Sequence, residues 1–174
     1  MPRIVFLDID GVLATARTYQ GAPFIRVPVP WGEPETVWTD PRGLLDPKLA
    51  ANVEALCEAA GAGLVVSSDW RRAHDLETLA GWFASVGLTA PLLGATPILG
   101  PPRGAEIQRV VESMGLEPAD FLILEDVEDV RPYRGRQIQT TFNGPRPGFT
   151  ERHLRRALRA WGLGPPGRMR VRRG

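Results

Sequence analysis

The chain has 174 residues, 43% of them hydrophobic, and a formal net charge of +1, which is typical of one globular domain with a full core. The small net charge gives no general attraction to nucleic acids or membranes, and no run of 18 apolar residues predicts a transmembrane helix. A single cysteine, Cys57, excludes an internal disulfide framework and a cysteine-rich metal site.

Buried strands alternate with amphipathic helices along the chain. Short apolar runs predict strands over residues 3–9, 63–67 and 121–125, and a weaker strand over 136–142. Apolar residues at helical spacing, with caps and stop signals at the ends, predict helices over 47–60, 75–86, 104–114 and 151–161. This alternation predicts an α/β fold with a Rossmann-like, three-layer parallel sheet.

Two segments stand outside this alternation. Residues 14–45 are rich in proline and glycine and show little periodicity, so we interpret them as an irregular insertion with a short hairpin around FIRVPV. Residues 164–174 form a basic tail that we expect to be disordered, with contact to phosphate backbones as the alternative. Residues 1–163 are then a single domain. Its amino-terminal apolar run is too short and too acidic for a signal peptide, so we expect a cytoplasmic protein.

Oxygen-bearing side chains lie at the ends of three predicted strands. Asp8 closes the first strand, Ser67 and Ser68 close the second, and Glu125 and Asp126 close the third. Ligands of open α/β sheets bind beyond the carboxyl ends of the strands, where a parallel sheet gathers these groups on one edge. Carboxylates are the hard oxygen ligands that Mg²⁺ prefers. The sequence therefore predicts a Mg²⁺ site at this edge.

The same groups suit phosphoryl transfer to a carboxylate. A carboxylate nucleophile is a known route to an aspartyl-phosphate. An anionic ester at ~4 Å is repelled by about 4 kcal/mol at an effective dielectric constant near 20, so a divalent cation and hydrogen-bond donors are needed. The Ser67 hydroxyl can supply a donor, and Arg103, at the start of a helix, can supply a fixed positive charge.

Four segments resemble the motifs of the haloacid dehalogenase (HAD) superfamily of phosphohydrolases, in that family's order. DIDGVL at 8–13 looks like motif I, LVVSS at 64–68 like motif II, Arg103 stands at motif III, and ILEDVED at 123–129 looks like motif IV. The resemblance covers roughly residues 3–160. More narrowly, the stretches SSDWR, RGAEI and ILED are similar to the small, nearly capless HAD domain of multifunctional RNA-repair proteins.

The resemblance implies roles for the catalytic residues. Asp8 would be the nucleophile, and Asp10 the general acid toward the leaving oxygen and then the base that activates water. Ser67 would bind the transferring phosphoryl oxygens, and Arg103 would balance the charge on Asp8 and on the phosphate. An acid at Asp10 also argues against dehalogenation, since members with that chemistry usually lack one there.

The resemblance also implies a Mg²⁺ shell. Asp8, the backbone carbonyl of Asp10 and Asp126 would be ligands, and Glu125 would orient a metal-bound water. The pair Glu125-Asp126 departs from the Asp-Asp of the family, and Asp129 is either a further ligand or an ordinary loop acid.

Three residues after the second strand keep alternative interpretations. Ser67, as the last strand position, is the favoured motif II residue, but Ser68 is the alternative and a candidate substrate-binding residue. Arg71 is a further candidate for substrate contact. A surface turn or a helix cap would explain the same residues without a function.

The segments that carry cap domains in this superfamily are short here. Residues 14–45 and 69–102 are too few for a full cap, so we expect a minimal cap and an open site. An open site suits a large substrate such as a nucleic-acid end, with tryptophans for stacking and arginines for phosphate in the insertion, namely Trp31, Trp38, Arg17, Arg26 and Arg42. The alternatives are a phosphotransferase or a small-metabolite phosphatase of this fold, and a catalytically silent regulatory module that binds phosphate.

Overall fold

A five-stranded parallel sheet and a separate two-stranded hairpin make up the β structure of the described residues. The computed structural model describes residues 3–30 and 32–164. The strands are β1 Arg3–Leu7, β2 Phe24–Val27, β3 Glu35–Trp38, β4 Ala62–Val66, β5 Leu92–Ala95, β6 Phe121–Glu125 and β7 Gln137–Gln139. The helices are α1 Ala16–Gln20, α2 Pro47–Ala60, α3 Leu76–Ser85, α4 Arg103–Met114 and α5 Glu151–Ala160.

The large sheet has the strand order β5-β4-β1-β6-β7, and every pairing in it is parallel. Strand β1 lies at the centre, with Leu7 beside Val66 of β4 and Leu124 of β6. This register brings the residues that follow these three strands to one edge of the sheet. The predicted α/β class and parallel sheet are confirmed.

Side chains of β1 point alternately into two cores, which is why the strand reads as a continuous apolar run. Val5 and Leu7 belong to a core shared with α2, α3 and α5. Ile4 and Phe6 belong to a second core, which includes Ile107 of α4. Helices therefore cover both faces, and the fold has the predicted three layers.

The structure adds elements that the sequence pattern did not predict. Strand β5 is a short edge strand whose pairing with β4 shifts register between Leu64 and Val65, and its glycine, Gly94, hides the strand signal. Within the insertion, residues Ala16–Gln20 form the short helix α1. The predicted hairpin is present, with Phe24 of β2 paired to Trp38 of β3.

No helix of the described residues is long and apolar enough to cross a membrane. Trp31 and the predicted basic tail, apart from Gly164, lie outside the described residues.

A glycine fixes the start of α4 against the loop that follows β6. The Gly104 amide donates to the Asp129 carbonyl at 2.9 Å, and a β-carbon at this position would lie 1.8 Å from the Arg131 carbonyl oxygen. The first turn of α4, which carries Arg103, is thereby held beside the carboxyl end of β6.

We expect Gly104→Ala to lower the free energy of unfolding by about 1–3 kcal/mol, because the added methyl group forces the helix and the loop apart. Gly81 in α3 is the matched control, since a β-carbon there meets nothing within 4 Å. Gly81→Ala should raise the free energy of unfolding by roughly 0.5–1 kcal/mol through higher helix propensity. Urea denaturation of both variants checks the opposite signs, and equal effects would contradict the packing argument.

Candidate active site

Three carboxylates converge at the centre of the sheet edge. One oxygen each from Asp8, Glu125 and Asp126 lies within 4.8 Å of the others. Asp8 and Glu125 are 5% and 1% exposed, because they directly continue the buried strand β1 and close the buried strand β6. The Asp8 amide still donates to the Leu124 carbonyl at 3.0 Å, so the backbone of the two strands fixes the two side chains together.

Gly11 allows Asp126 to complete this cluster. Its φ is +74°, and a β-carbon there would lie 2.4 Å from the Asp126 β-carbon. The turn is tied internally, since the Gly11 amide donates to the Ala14 carbonyl at 2.7 Å. Gly11, the glycine of the segment DIDGVL, is thus required both by its backbone conformation and by the close approach of Asp126.

All three carboxyl groups of the cluster have raised pKa values, and a bound cation would counteract this rise. Burial raises the pKa of Asp8, although hydrogen bonds from Glu125 and Ser68 oppose the shift. Burial and the adjacent Asp8 charge raise the pKa of Glu125, and burial also raises the pKa of Asp126. Among the described residues, the buried Glu125 Oε2 has no hydrogen-bond partner. The three carboxylates therefore fit the hard-oxygen donor set of Mg²⁺.

Asp10 faces a different set of partners. The Tyr19 hydroxyl donates to its Oδ1 at 2.7 Å, and the Trp70 Nε1 donates to its Oδ2 at 3.0 Å. Its carboxylate is not part of the three-acid cluster, which is compatible with the prediction that its backbone carbonyl is the ligand. The sequence pattern identified neither Tyr19 nor Trp70 as a partner of Asp10, and the insertion that holds Tyr19 has no periodicity.

The two serines differ in their surroundings. Ser67 is fully buried, and its hydroxyl has no hydrogen-bond partner among the described residues. Ser68 precedes a 3₁₀ turn, Asp69–Arg72, where its Oγ accepts from the Trp70 amide at 3.5 Å. The Ser68 hydroxyl also lies close enough to Asp8 to lower the pKa of that carboxyl. The preference for Ser67 stays a prediction, and the contact with Asp8 favours Ser68.

Arg103 lies where three acidic side chains meet. Its Nε is 3.4 Å from Glu125 Oε2, and its Nη1 is 3.1 Å from Glu106 Oε2 and 3.6 Å from Asp69 Oδ1. The guanidinium is partly buried, with 15% of the side chain exposed. It therefore supplies positive charge directly beside the carboxylate cluster.

Arg71 is held by the protein on every side. Its side chain is 3% exposed and pairs with Glu106 at 2.5 Å. Its other N–H groups donate to four backbone carbonyls, those of Ser67, Ser68, Thr96 and Pro97. The predicted substrate contact of Arg71 therefore finds no support in the geometry, whereas an anchoring role for the loop after β4 does.

Asp129 lies in the same region without joining the cluster. It lines a cavity of about 310 Å³ together with Asp69, Arg72 and Arg103. Among the described residues, only Asp8, Glu125 and Asp126 are close enough to share a metal ion. Of the two interpretations of Asp129, the structure therefore favours an ordinary loop acid.

Comparison with known proteins gives one family. The family model for the HAD domain in Swiss Army Knife RNA repair proteins matches residues 4–154. This stretch runs from β1 into α5 and includes every predicted site residue. No curated protein matches the chain.

We expect metal-free protein to lose stability as the pH rises, because Glu125 has a raised pKa in the folded state and an ordinary one in the unfolded state. The folded state then binds more protons, and its free energy of unfolding falls by about 1 kcal/mol per pH unit above pH 5. Glu125→Gln should reduce this slope, and the remainder comes from Asp8 and Asp126, whose pKa values are raised as well. Urea denaturation in EDTA between pH 5 and 8 checks it, with the exposed Glu128→Gln as control. Parallel profiles for wild type and Glu125→Gln would contradict the expectation.

Proposed function

The chain belongs to the family of HAD domains in Swiss Army Knife RNA repair proteins, and from that premise we propose that it is a Mg²⁺-dependent phosphomonoesterase acting through Asp8. The observation that carries the proposal is the convergence of Asp8, Glu125 and Asp126 within 4.8 Å, beside the Arg103 guanidinium. The superfamily supports phosphohydrolase chemistry in general, and the nucleophile, the metal and the substrate are our proposals.

Asp8, Asp126 and the backbone carbonyl of Asp10 would hold the Mg²⁺, with Glu125 as a further carboxylate beside it. Bound Mg²⁺ would neutralise the carboxylates and the substrate phosphate and so permit two anions to meet. Two observations support such a cation: the buried Glu125 Oε2 accepts no hydrogen bond, although it lies 3.4 Å from the Arg103 Nε, and the pKa values of all three acids are raised.

Asp8 and Asp10 divide the chemistry. An Asp8 carboxylate oxygen bonds to phosphorus as the ester P–O bond breaks, and Asp10 gives a proton to the departing oxygen. Asp10 then takes a proton from water, whose oxygen bonds to phosphorus as the bond to Asp8 breaks and inorganic phosphate leaves. Tyr19 and Trp70 orient the Asp10 carboxylate by their two hydrogen bonds.

Positive charge and hydroxyl donors would hold the phosphoryl oxygens. Arg103 lies beside Glu125, and the Ser68 hydroxyl lies beside Asp8. These groups are fixed before substrate arrives, since Arg71 anchors the serine loop and Gly104 anchors the turn that carries Arg103. Preorganised donors of this kind stabilise charge that develops in the transition state.

The substrate we propose is the phosphorylated end of a nucleic acid. The described part of the insertion after β1 supplies the short helix α1 and a small hairpin with exposed apolar side chains, among them Phe24 and Ile25 at 54% and 51% exposure. A cap of this size leaves room for a large substrate, and the RNA-repair context in the family's name supports the choice.

Asp8→Asn should lower phosphatase activity by at least about 10³-fold, as expected for loss of a nucleophile. Hydrolysis of a chromogenic phosphate ester, with Mg²⁺ and with EDTA, measures it. Asp40→Asn is the matched control, because that half-exposed carboxylate lies in the insertion and, within the described part of the chain, forms an ion pair only with Arg42. Activity that survives in Asp8→Asn, or in EDTA, would rule out the mechanism.

Tyr19→Phe should lower kcat about tenfold with little change in KM, because one of the two donors that orient Asp10 is lost. Steady-state kinetics on the same ester measure the effect. Tyr133→Phe is the matched control, since that ring packs on Phe121 in the other core. An equal kcat for Tyr19→Phe and wild type would show that Asp10 does not need the hydroxyl.

A further inference from the structure

We propose that a basic cleft beside the active site binds the sugar–phosphate backbone of the nucleic-acid strand whose end enters the site. The substrate class rests on the proposed function, whereas the surface rests on its own observations. We define the basic cleft by six cationic side chains from α1, α2, α5 and the loop before α5, namely Arg17, Lys48, Arg146, Arg152, Arg155 and Arg159.

Two adjoining cavities form the basic cleft. One, of about 290 Å³, is lined by Arg17, Lys48 and Arg146, and the other, of about 380 Å³, by Arg146 and the three arginines of α5. Arg146, Thr150 and Glu151 line both. The cavities are therefore neighbouring parts of one concave surface rather than separate pits.

Positive charge in the basic cleft is in large excess over negative charge. All six cationic side chains are exposed, and the acids that line the two cavities are Asp46 and Glu151. Glu151 pairs with Arg155 at 2.5 Å, and no other cation of the cleft forms an ion pair with the described residues. Six cations against two acids leave this surface with a local excess of positive charge, although the whole chain carries only +1.

Helix α5 presents its cations as a row. Arg152, Arg155 and Arg159 follow an i, i+3, i+7 spacing, which places them on one face of the helix. Leu154 and Leu158 are buried on the opposite face, in the core shared with α2. The helix is about 15 Å long, so the row matches an extended chain of phosphates better than a single phosphate group.

Helix α4 of the same arginine-rich chain has no basic face comparable to that of α5. Its exposed residues are mixed, with Gln108 donating to Glu112 at 2.7 Å and Arg109 beside them. An arginine-rich composition alone would distribute cations over both flanks of the sheet. The basic face of α5 therefore points to a specific polyanionic partner.

Helix α1 connects the basic cleft to the chemistry. Tyr19 of this helix donates to Asp10 at 2.7 Å. Arg17 of the same helix donates to the Pro145 carbonyl at 2.8 Å, next to Arg146. A strand whose terminal phosphate lies at Asp8 can thus leave the site past α1 and continue along α5.

The double variant Arg152→Gln/Arg159→Gln tests the proposal in the full-length chain. Glutamine keeps the helix propensity and removes two positive charges without touching the proposed catalytic residues. The matched control is Arg109→Gln/Arg134→Gln, which removes the same charge from exposed positions elsewhere. Circular dichroism and thermal melting confirm that both variants are folded.

Binding is measured by fluorescence anisotropy with a labelled 12-nucleotide RNA that lacks a terminal phosphate, in Mg²⁺-free buffer at 50–200 mM salt. We expect the α5 variant to raise Kd on the order of tenfold and to reduce the slope of log K against log salt by about 1.4, or about 0.7 for each lost phosphate contact. The control variant should bind like wild type. Equal changes in both variants, or none in either, would overturn the proposal.

Two further measurements separate this proposal from the proposed function. Turnover of the chromogenic ester should be unchanged in both variants, because a small ester does not reach the basic cleft. If no ester is turned over at all but the RNA affinities still differ, the phosphatase fails and the surface stands. Loss of binding to vesicles with anionic lipids, with RNA affinity unchanged, would assign the surface to membranes and overturn the proposal.

Discussion

The architecture of the site depends on two buried carboxyl groups that lie side by side. Asp8 and Glu125 continue neighbouring strands of one sheet, and backbone hydrogen bonds prevent the two carboxylates from separating. Burial favours protonation of both groups, and the adjacent Asp8 charge adds to the rise in the pKa of Glu125. A cation bound among these oxygens, as the proposed function has it, would remove that penalty.

A network of buried ion pairs holds the loops around the carboxylates in place. Glu106 of α4 receives both Arg71, which holds the loop after β4, and Arg103, which faces Glu125. Removing one partner of such a pair leaves an unpaired buried charge, at a cost of about 3–5 kcal/mol. The network thus joins the loops after β4 and β6 to the start of α4, and the groups proposed to hold a phosphate are positioned before one binds.

The insertion after β1 contacts the site through Tyr19. Instead of a cap domain, it provides a short helix and an exposed hairpin. Tyr19 on the helix reaches Asp10 and also packs against Trp38 of the hairpin, with ring centroids 4.9 Å apart. The hairpin is therefore coupled to Asp10 through Tyr19, while Arg17 of the same helix lines the basic cleft.

The sequence by itself determined the parallel sheet and the acids at its edge. Short apolar runs predict the strands, and the residues that end these runs, Asp8, Ser67 and Glu125, indicate where the site lies. It also identified the family through motifs that lie on those same strand ends. The tertiary structure alone decided which donors hold Asp10 and that Arg71 is buried. These contacts join segments that show no periodic pattern. The partners of a polar side chain depend on how distant parts of the chain pack together, and a local pattern does not encode this packing.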